Sequence, residues 1–286
     1  MLTDDTKRVL AVHDLSGLGR CALTVIIPTL SVMGVCVVPL PTALLSTHTG
    51  GFTGLTFLEL TDTMKPALQH YRSMDIKFDA IYTGFLGSAA QIDTVALAID
   101  TFGDGIPVLV DPVMGDDGKV YQTYTEEMCR RMREICHKAD IMTPNMTEAY
   151  LLCGEEYVDT SALSTNDAIS EAKRVLRRLV ELYNVERLAL TGIKLGKTQI
   201  ATFSYDKNGN IKESIHSIQR VSGGYPGTGD LFASVLLGRV LSGYEFHAAV
   251  EFAGQTVAEM IADTAKYDTP VREGLRLEKN LYRLIK

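Results

Sequence analysis

Pro226-Gly227-Thr228-Gly229-Asp230 stands directly ahead of the apolar run 231–241. Successive Gly and Thr amides at the start of a helix point their N–H groups outward, where the helix dipole adds positive potential. Such an end holds a phosphate or a developing oxyanion. Asp230 would stand at the mouth of that hole, placed to accept a proton from an attacking hydroxyl. The plainer alternative is that Asp230 only caps the helix.

Two further groups end short apolar runs. Asp111-Pro112-Val113-Met114-Gly115-Asp116 delivers a carboxylate to the carboxyl end of a buried strand, the edge at which open α/β sheets bind ligands. Thr143-Pro144-Asn145-Met146-Thr147-Glu148 does the same from the next strand, and Asn145 and Glu148 are three apart at a helix start, on one face. Oxygen-rich groups of this kind suit Mg²⁺ carried by a nucleotide, because Mg²⁺ keeps several waters and needs only one or two protein carboxylates. The structural alternatives are a turn aspartate and a capping box from Thr143 or Asn145.

Gly17-Leu18-Gly19-Arg20-Cys21-Ala22 fits the G-x-G-x-x-A dinucleotide fingerprint, which requires an acid about 20 residues later to hold a ribose hydroxyl. Val37-Val38-Pro39-Leu40 occupies that place, without an acid. A tight turn that brings backbone and Asp14 close to a small ligand accounts better for these glycines. Cys21, Cys36, Cys129, Cys136 and Cys153 are odd in number and contain no C-x-x-C pair, so neither a disulfide framework nor a thiolate zinc site is expected. They read as reduced, mostly buried thiols of a cytosolic protein. His13, His70, His137, His216 and His247 show no metal-ligand spacing, and Met128 and Met132 read as core.

The elements that must position these groups follow from pattern. Residues 9–13, 35–39, 80–83, 108–111, 141–143 and 188–191 are largely apolar on both faces, as strands of a covered parallel sheet should be. Helices are predicted over 20–33, 63–73, 89–101, 125–138 and 167–183, the last with Ile169, Ala172, Val175, Leu176, Leu179 and Val180 on one stripe. Strand and helix alternating at this spacing means an α/β fold. After Thr191 a hairpin, 199–205 with 211–218, turns at Asp206-Lys207-Asn208-Gly209, and helices follow over 230–241, 246–264 and 271–284.

The 286 residues are 46% hydrophobic and 22% charged with a net charge of −7, which excludes disorder and argues against a nucleic-acid-coating surface. No repeat, linker or boundary divides the chain, so residues 1–286 read as one domain. The uncharged stretch 21–58 imitates a membrane span, but Pro28, Pro39 and Pro41 interrupt it, and it reads as a buried helix followed by a buried strand. The start, residues 1–9, has no apolar segment of a secretory signal, so export is not expected.

Taken together, these pieces resemble the ribokinase superfamily and, within it, the pyridoxal (vitamin B6) kinases. The matching segments are Asp14-Leu15-Ser16-Gly17, Ser46-Thr47-His48-Thr49-Gly50, Thr83-Gly84-Phe85, Asp111 to Asp116, Thr143 to Glu148, and Gly227 to Asp230 with Leu231-Phe232-Ala233 behind. They run across most of the chain in family order. Superfamily sugar kinases usually carry Asp-Thr where Gly224-Tyr225 stand, so a sugar substrate is not expected. The related hydroxymethylpyrimidine kinases commonly carry Cys at the position of Asp230, while their loop is the closer match to Asp14-Leu15-Ser16-Gly17.

The resemblance implies a ribokinase-like α/β fold, with a mostly parallel central sheet covered by helices on both faces and a β-hairpin in the C-terminal half. It implies ATP-dependent phosphorylation of the 5′-hydroxymethyl group of pyridoxal, pyridoxine or pyridoxamine. Asp230 would be the general base, and the amides of Gly227, Thr228 and Gly229 the anion hole. Asp14, Thr49, His48, Phe85 and Tyr121 match substrate-side positions, while Asp111, Asn145, Glu148, Thr191, Gly192 and Thr228 fall on the ATP side. Glu148 and Asp116 would organise Mg²⁺, partly through water, and Asp111, Thr143 and Thr191 a monovalent cation such as K⁺. A cytoplasmic homodimer without nucleic-acid or membrane partners completes the expectation. The alternatives are a hydroxymethylpyrimidine kinase and a catalytically weak B6-binding protein on the same fold.

Overall fold

A computed structural model describes residues 5–217 and 224–285. The strands are β1 (Arg8–Leu18), β2 (Cys36–Thr47), β3 (Phe57–Glu59), β4 (Ala80–Thr83), β5 (Val108–Val110), β6 (Gly115–Asp116), β7 (Lys119–Val120), β8 (Ile141–Met142), β9 (Arg187–Leu195), β10 (Gln199–Asp206) and β11 (Ile211–Ser217). The helices are α1 (Leu23–Val32), α2 (Thr61–Ser73), α3 (Ala89–Phe102), α4 (Glu126–Cys136), α5 (Met146–Cys153), α6 (Thr165–Tyr183), α7 (Thr228–Leu241) and α8 (Phe246–Thr264).

Nine strands form one sheet in the order β11-β10-β9-β8-β5-β4-β1-β2-β3, while β6 and β7 make a separate small flap. The six strands from β9 to β2 are parallel, and β3, β10 and β11 join the two edges antiparallel. Val9, Leu10, Ala11 and Val12 are all fully buried because both faces of β1 are covered. Alternation sorts them. Leu10, Val12, Ile81 and Val110 face a core completed by α2 to α6, and Val9, Ala11, Tyr82 and Leu109 face one completed by α1, α7 and α8. The chain leaves β1 for β2 on one side and returns to β4 on the other, so the strand order reverses at β1, where such sheets open a ligand crevice.

The mostly parallel sheet, the helices on both faces and the hairpin agree with the sequence reading. No helix among the described residues is long and apolar enough to cross a membrane. Several differences are informative. Gly17 does not end β1, which stays paired with β2 as far as Leu18 and Thr47. The bend comes later, at Gly19 and Ala22, both with positive φ. The hairpin strand is described as far as Ser217, and its predicted last residue, Ile218, lies outside the described residues. The helix expected over 271–284 is instead three 3₁₀ turns, Val271–Glu273, Leu277–Lys279 and Leu281–Leu284. Gly274, with φ 74°, breaks the first turn, and buried Asn280 holds a bend by donating to Asp263 and to the Arg276 carbonyl. Leu275, Leu277 and Leu284 therefore reach the core without a helical stripe.

Candidate active site

Helix α7 begins at Gly227, which has φ 78° and offers no side chain to cap the helix amides. Glycine is required there: a Cβ would fall 2.1 Å from the Arg20 carbonyl oxygen. The Thr228 hydroxyl turns back to donate to the Tyr225 carbonyl at 3.1 Å. Asp230, the third residue of α7, does not cap its own helix. Its Oδ2 accepts the Ala22 N–H at 2.7 Å, across the cleft from α1. Loss of solvent pushes the Asp230 carboxyl up to about 6, against the pull of that N–H.

Asp111, at the end of β5, is buried directly below: a Cβ placed on Gly229 would meet its Oδ2 at 3.9 Å. Burial and then the charge of Asp230 push the Asp111 carboxyl well up. Thr143 lies beside Asp111, yet its buried hydroxyl completes no well-formed hydrogen bond. The Thr191 amide donates to the Pro144 carbonyl, which brings the middle of β9, with Gly192 in the left-handed region, against Asn145.

Asn145 and Glu148 form the capping box of α5. The Asn145 side chain accepts the Glu148 N–H, and Glu148 Oε2 accepts the Asn145 N–H at 2.8 Å. Glu148 Oε1 accepts a second N–H, from Met114 at 3.2 Å. Glu148 is almost wholly buried, and burial, then Asp111, push its carboxyl well up. Asp116 is exposed on the β6–β7 flap. A group of buried carboxylates, in which Asp230 raises Asp111 and Asp111 raises Glu148, beside the unpartnered Thr143 hydroxyl, is a donor set that fits cations. It does not fit a direct three-carboxylate cage. Among the described residues, the only His, Cys, Asp or Glu trio close enough for one ion is Asp206, Glu245 and His247. That trio sits at the opposite sheet edge, where His247 already bridges Ser204 and Asp206.

On the substrate side, Asp14 is buried where β1 faces the crevice, and its Oδ2 accepts the Ser16 hydroxyl at 2.7 Å. Burial pushes Asp14 up to about 7; the Ser16 bond opposes this and the charge of Asp230 adds to it. Tyr121, after the flap, lies among Glu148, Asp116, Asp111 and Asp230, all of which, after burial, push its hydroxyl up. Phe85 is half-buried, edge-on to Tyr124, and Thr49 is half-buried in the loop after β2. His48, expected on the substrate side, has its ring held by backbone. Its Nδ1 accepts the Gly50 N–H at 3.0 Å and its Nε2 meets the Arg272 carbonyl at 2.6 Å. Both ring nitrogens are spent on backbone, so His48 is a strut between two loops. Sequence reasoning missed Ser16 and the Ala22 amide. A backbone N–H leaves no signal in residue type, and Ser16 is visible only once Asp14 is placed.

The family profile of the phosphomethylpyrimidine kinases matches residues 27–272. The chain is 30% identical to the pyridoxine/pyridoxal/pyridoxamine kinase of Bordetella avium over 264 residues, which cover 88% of this chain and 83% of that one. It is 29% identical to the pyridoxal kinase of Arabidopsis thaliana over 83% of this chain and 75% of the relative. Among solved structures, a Bacteroides thetaiotaomicron protein put forward as a phosphomethylpyrimidine kinase, in a crystal form with pyridoxal, superposes with a TM-score of 0.91. It is 37% identical and covers 99% of this chain and 96% of its own. The pyridoxal kinase of Lactobacillus plantarum gives a TM-score of 0.85 at 28% identity, over 98% and 96% of the two chains. With a profile match over most of its length and kinases among these relatives, the chain belongs to the phosphomethylpyrimidine kinase family and is a kinase of the ribokinase-like superfamily, grouped with the pyridoxal kinases.

Proposed function

We propose that the protein transfers the γ-phosphoryl group of ATP to the 5′-hydroxymethyl group of pyridoxal, pyridoxine or pyridoxamine. The observation that carries this reading is the uncapped N-terminus of α7 with Asp230 anchored beside it, above buried Asp111. The pyridoxal-containing relative and the vitamer kinases among the similar proteins support the choice of acceptor.

In this reading the acceptor lies between Asp14, Thr49, Phe85 and Tyr121, with its hydroxymethyl group toward Asp230. Oδ1 of Asp230, the oxygen not bonded to Ala22, takes the hydroxyl proton as the hydroxyl oxygen attacks the γ-phosphorus and ADP departs. At pH 7 and above Asp230 is mostly ionised and competent as a base, given its position near 6. The amides of Gly227, Thr228 and Gly229 take up the charge that grows on the phosphoryl oxygens. Phosphoryl transfer is mostly positioning and charge stabilisation, so this hole works together with the base. Asp111, Asn145, Glu148, Thr191, Gly192 and Thr228 border the nucleotide. Mg²⁺ arriving with ATP would neutralise the phosphates, held largely through water by Glu148 and Asp116. A monovalent cation such as K⁺ would rest near Asp111, Thr143 and Thr191. A cytoplasmic homodimer of one catalytic domain per chain belongs to the same reading, and the free cysteines suit a reducing compartment.

The test is to incubate the protein with Mg-ATP and a panel of B6 vitamers, hydroxymethylpyrimidine and sugars, and to follow ADP release. Turnover with a vitamer at least about tenfold above the pyrimidine in kcat/KM is expected, because unpaired buried groups penalise a ligand lacking the ring hydroxyl. A second reading, a hydroxymethylpyrimidine kinase, is favoured by the family profile and by the Asp14 to Gly17 loop. Equal or greater turnover of the pyrimidine would select it.

A further inference from the structure

We propose that the Arg20-Cys21-Ala22 turn is a positioning device for Asp230, tied in place by the C-terminal segment 270–278. The proposal rests on the reading of Asp230 as the base. Ala22 is buried and has φ 49° and ψ −134°, a conformation that residues with a Cβ rarely adopt and that persists only where its surroundings impose it. What that conformation achieves is visible: it aims the Ala22 N–H at Asp230 Oδ2, 2.7 Å away. With one oxygen held, the carboxylate plane is set and the other oxygen is left to the acceptor hydroxyl.

The surroundings that impose it come from the far end of the sequence. The Arg20 amide and its Nη1 both donate to the Glu273 carbonyl, at 3.3 and 3.1 Å. Its Nε donates to the Glu278 carboxylate at 2.9 and 3.0 Å. The Arg20 carbonyl is wedged between Gly227 and Gly274, and a Cβ on Gly274 would lie 2.9 Å from it and 3.1 Å from the Pro226 carbonyl. The C-terminal segment thus touches the turn that holds the base and the loop that forms the anion hole. Through the Arg272 carbonyl on His48 it also holds the loop at residues 46–50. The ion pair itself is solvent-facing, with side chains 28% and 63% exposed, and such pairs add little to stability. Its loss should therefore alter geometry more than folding.

The test is a double-mutant cycle in the full chain, with kcat, the KM values for ATP and vitamer, and thermal midpoint measured for Arg20→Gln, Arg20→Lys, Glu278→Gln, Asp230→Asn and Arg20→Gln/Asp230→Asn. Arg20→Gln should lower kcat about tenfold, since small misplacements of a reacting group are costly. The KM for ATP should stay within about twofold and the midpoint should barely move. Arg20→Lys, able to pair with Glu278, should recover at least half of that loss, and Glu278→Gln should show a smaller loss in the same direction. In the Asp230→Asn background Arg20→Gln should cost less than about twofold, because its effect runs through Asp230. An unchanged kcat in Arg20→Gln, an equal loss in both backgrounds, or a loss that tracks the thermal midpoint would overturn the positioning role. Full turnover by Asp230→Asn would instead remove the base on which the proposal stands.

Discussion

Helices α5 and α7 start at the same sheet edge and carry an acid at the same place, the third helical residue, Glu148 in one and Asp230 in the other. They end up doing opposite things. Asn145 supplies a side-chain acceptor at the start of α5, and Glu148 reaches back to complete the box, so that helix end is closed by its own residues. Gly227 supplies nothing at the start of α7, and Asp230 bonds across the cleft to Ala22, so that end stays open. The lesson is that an acid in the first turn does not announce its role. The residue at the cap decides whether the amides are spent or kept for a ligand.

The sharpest way to break the comparison is to deny α7 its glycine. Gly227→Ala forces a Cβ against the Arg20 carbonyl and displaces the amides. A fall in kcat of about 10² to 10³ is expected, the scale of losing a preorganised donor, measured as ADP release by folded protein. Next in size is pH. Because burial lifts Asp230 to about 6, the base is protonated below that value, and kcat/KM should fall about tenfold per pH unit there. A profile flat to pH 5 would show that the open end works without its acid. On the closed side, Glu148→Gln should raise the Mg²⁺ concentration for half-maximal rate by about tenfold, the usual scale for a residue that acts on a metal through water. A Mg²⁺ titration that superposes on wild type would leave Glu148 as a cap only. The smallest effect is expected of Thr49→Val, on the substrate side. It should shrink the preference for pyridoxal over hydroxymethylpyrimidine by several-fold and leave the KM for ATP unchanged, as competing-substrate assays would show.

How much of this was legible before the structure varied with the kind of signal. Apolar runs fixed the location of the parallel strands because both faces of those strands are buried, and residues 80–83 were bounded to the residue. Residues 271–284 look helical in composition, but Gly274 and Asn280 serve long-range packing that no local pattern encodes. At the site, Gly227 to Asp230 and Asp111 could be read because glycine ahead of a helix and an acid at a strand end are local facts. The capping box at Asn145 and Glu148 was equally readable, though as one of two alternatives. The strut role of His48 was not legible because nothing near it in sequence reveals that the Arg272 carbonyl, 224 residues away, accepts its N–H. The Ala22 amide was invisible for the same reason, since its importance lies in a backbone angle and in a partner 208 residues distant.

The central claim, that Asp230 serves the open end of α7 as a base and not as a cap, is tested most directly by the turnover of Asp230→Asn. The amide keeps the size of the side chain and can still accept the Ala22 N–H, while losing the ability to take a proton. The account predicts that kcat with the preferred vitamer falls by about 10² to 10⁴, the range for general-base loss, with ATP affinity by equilibrium binding within about twofold of wild type. A variant that retains more than half of wild-type turnover would contradict it.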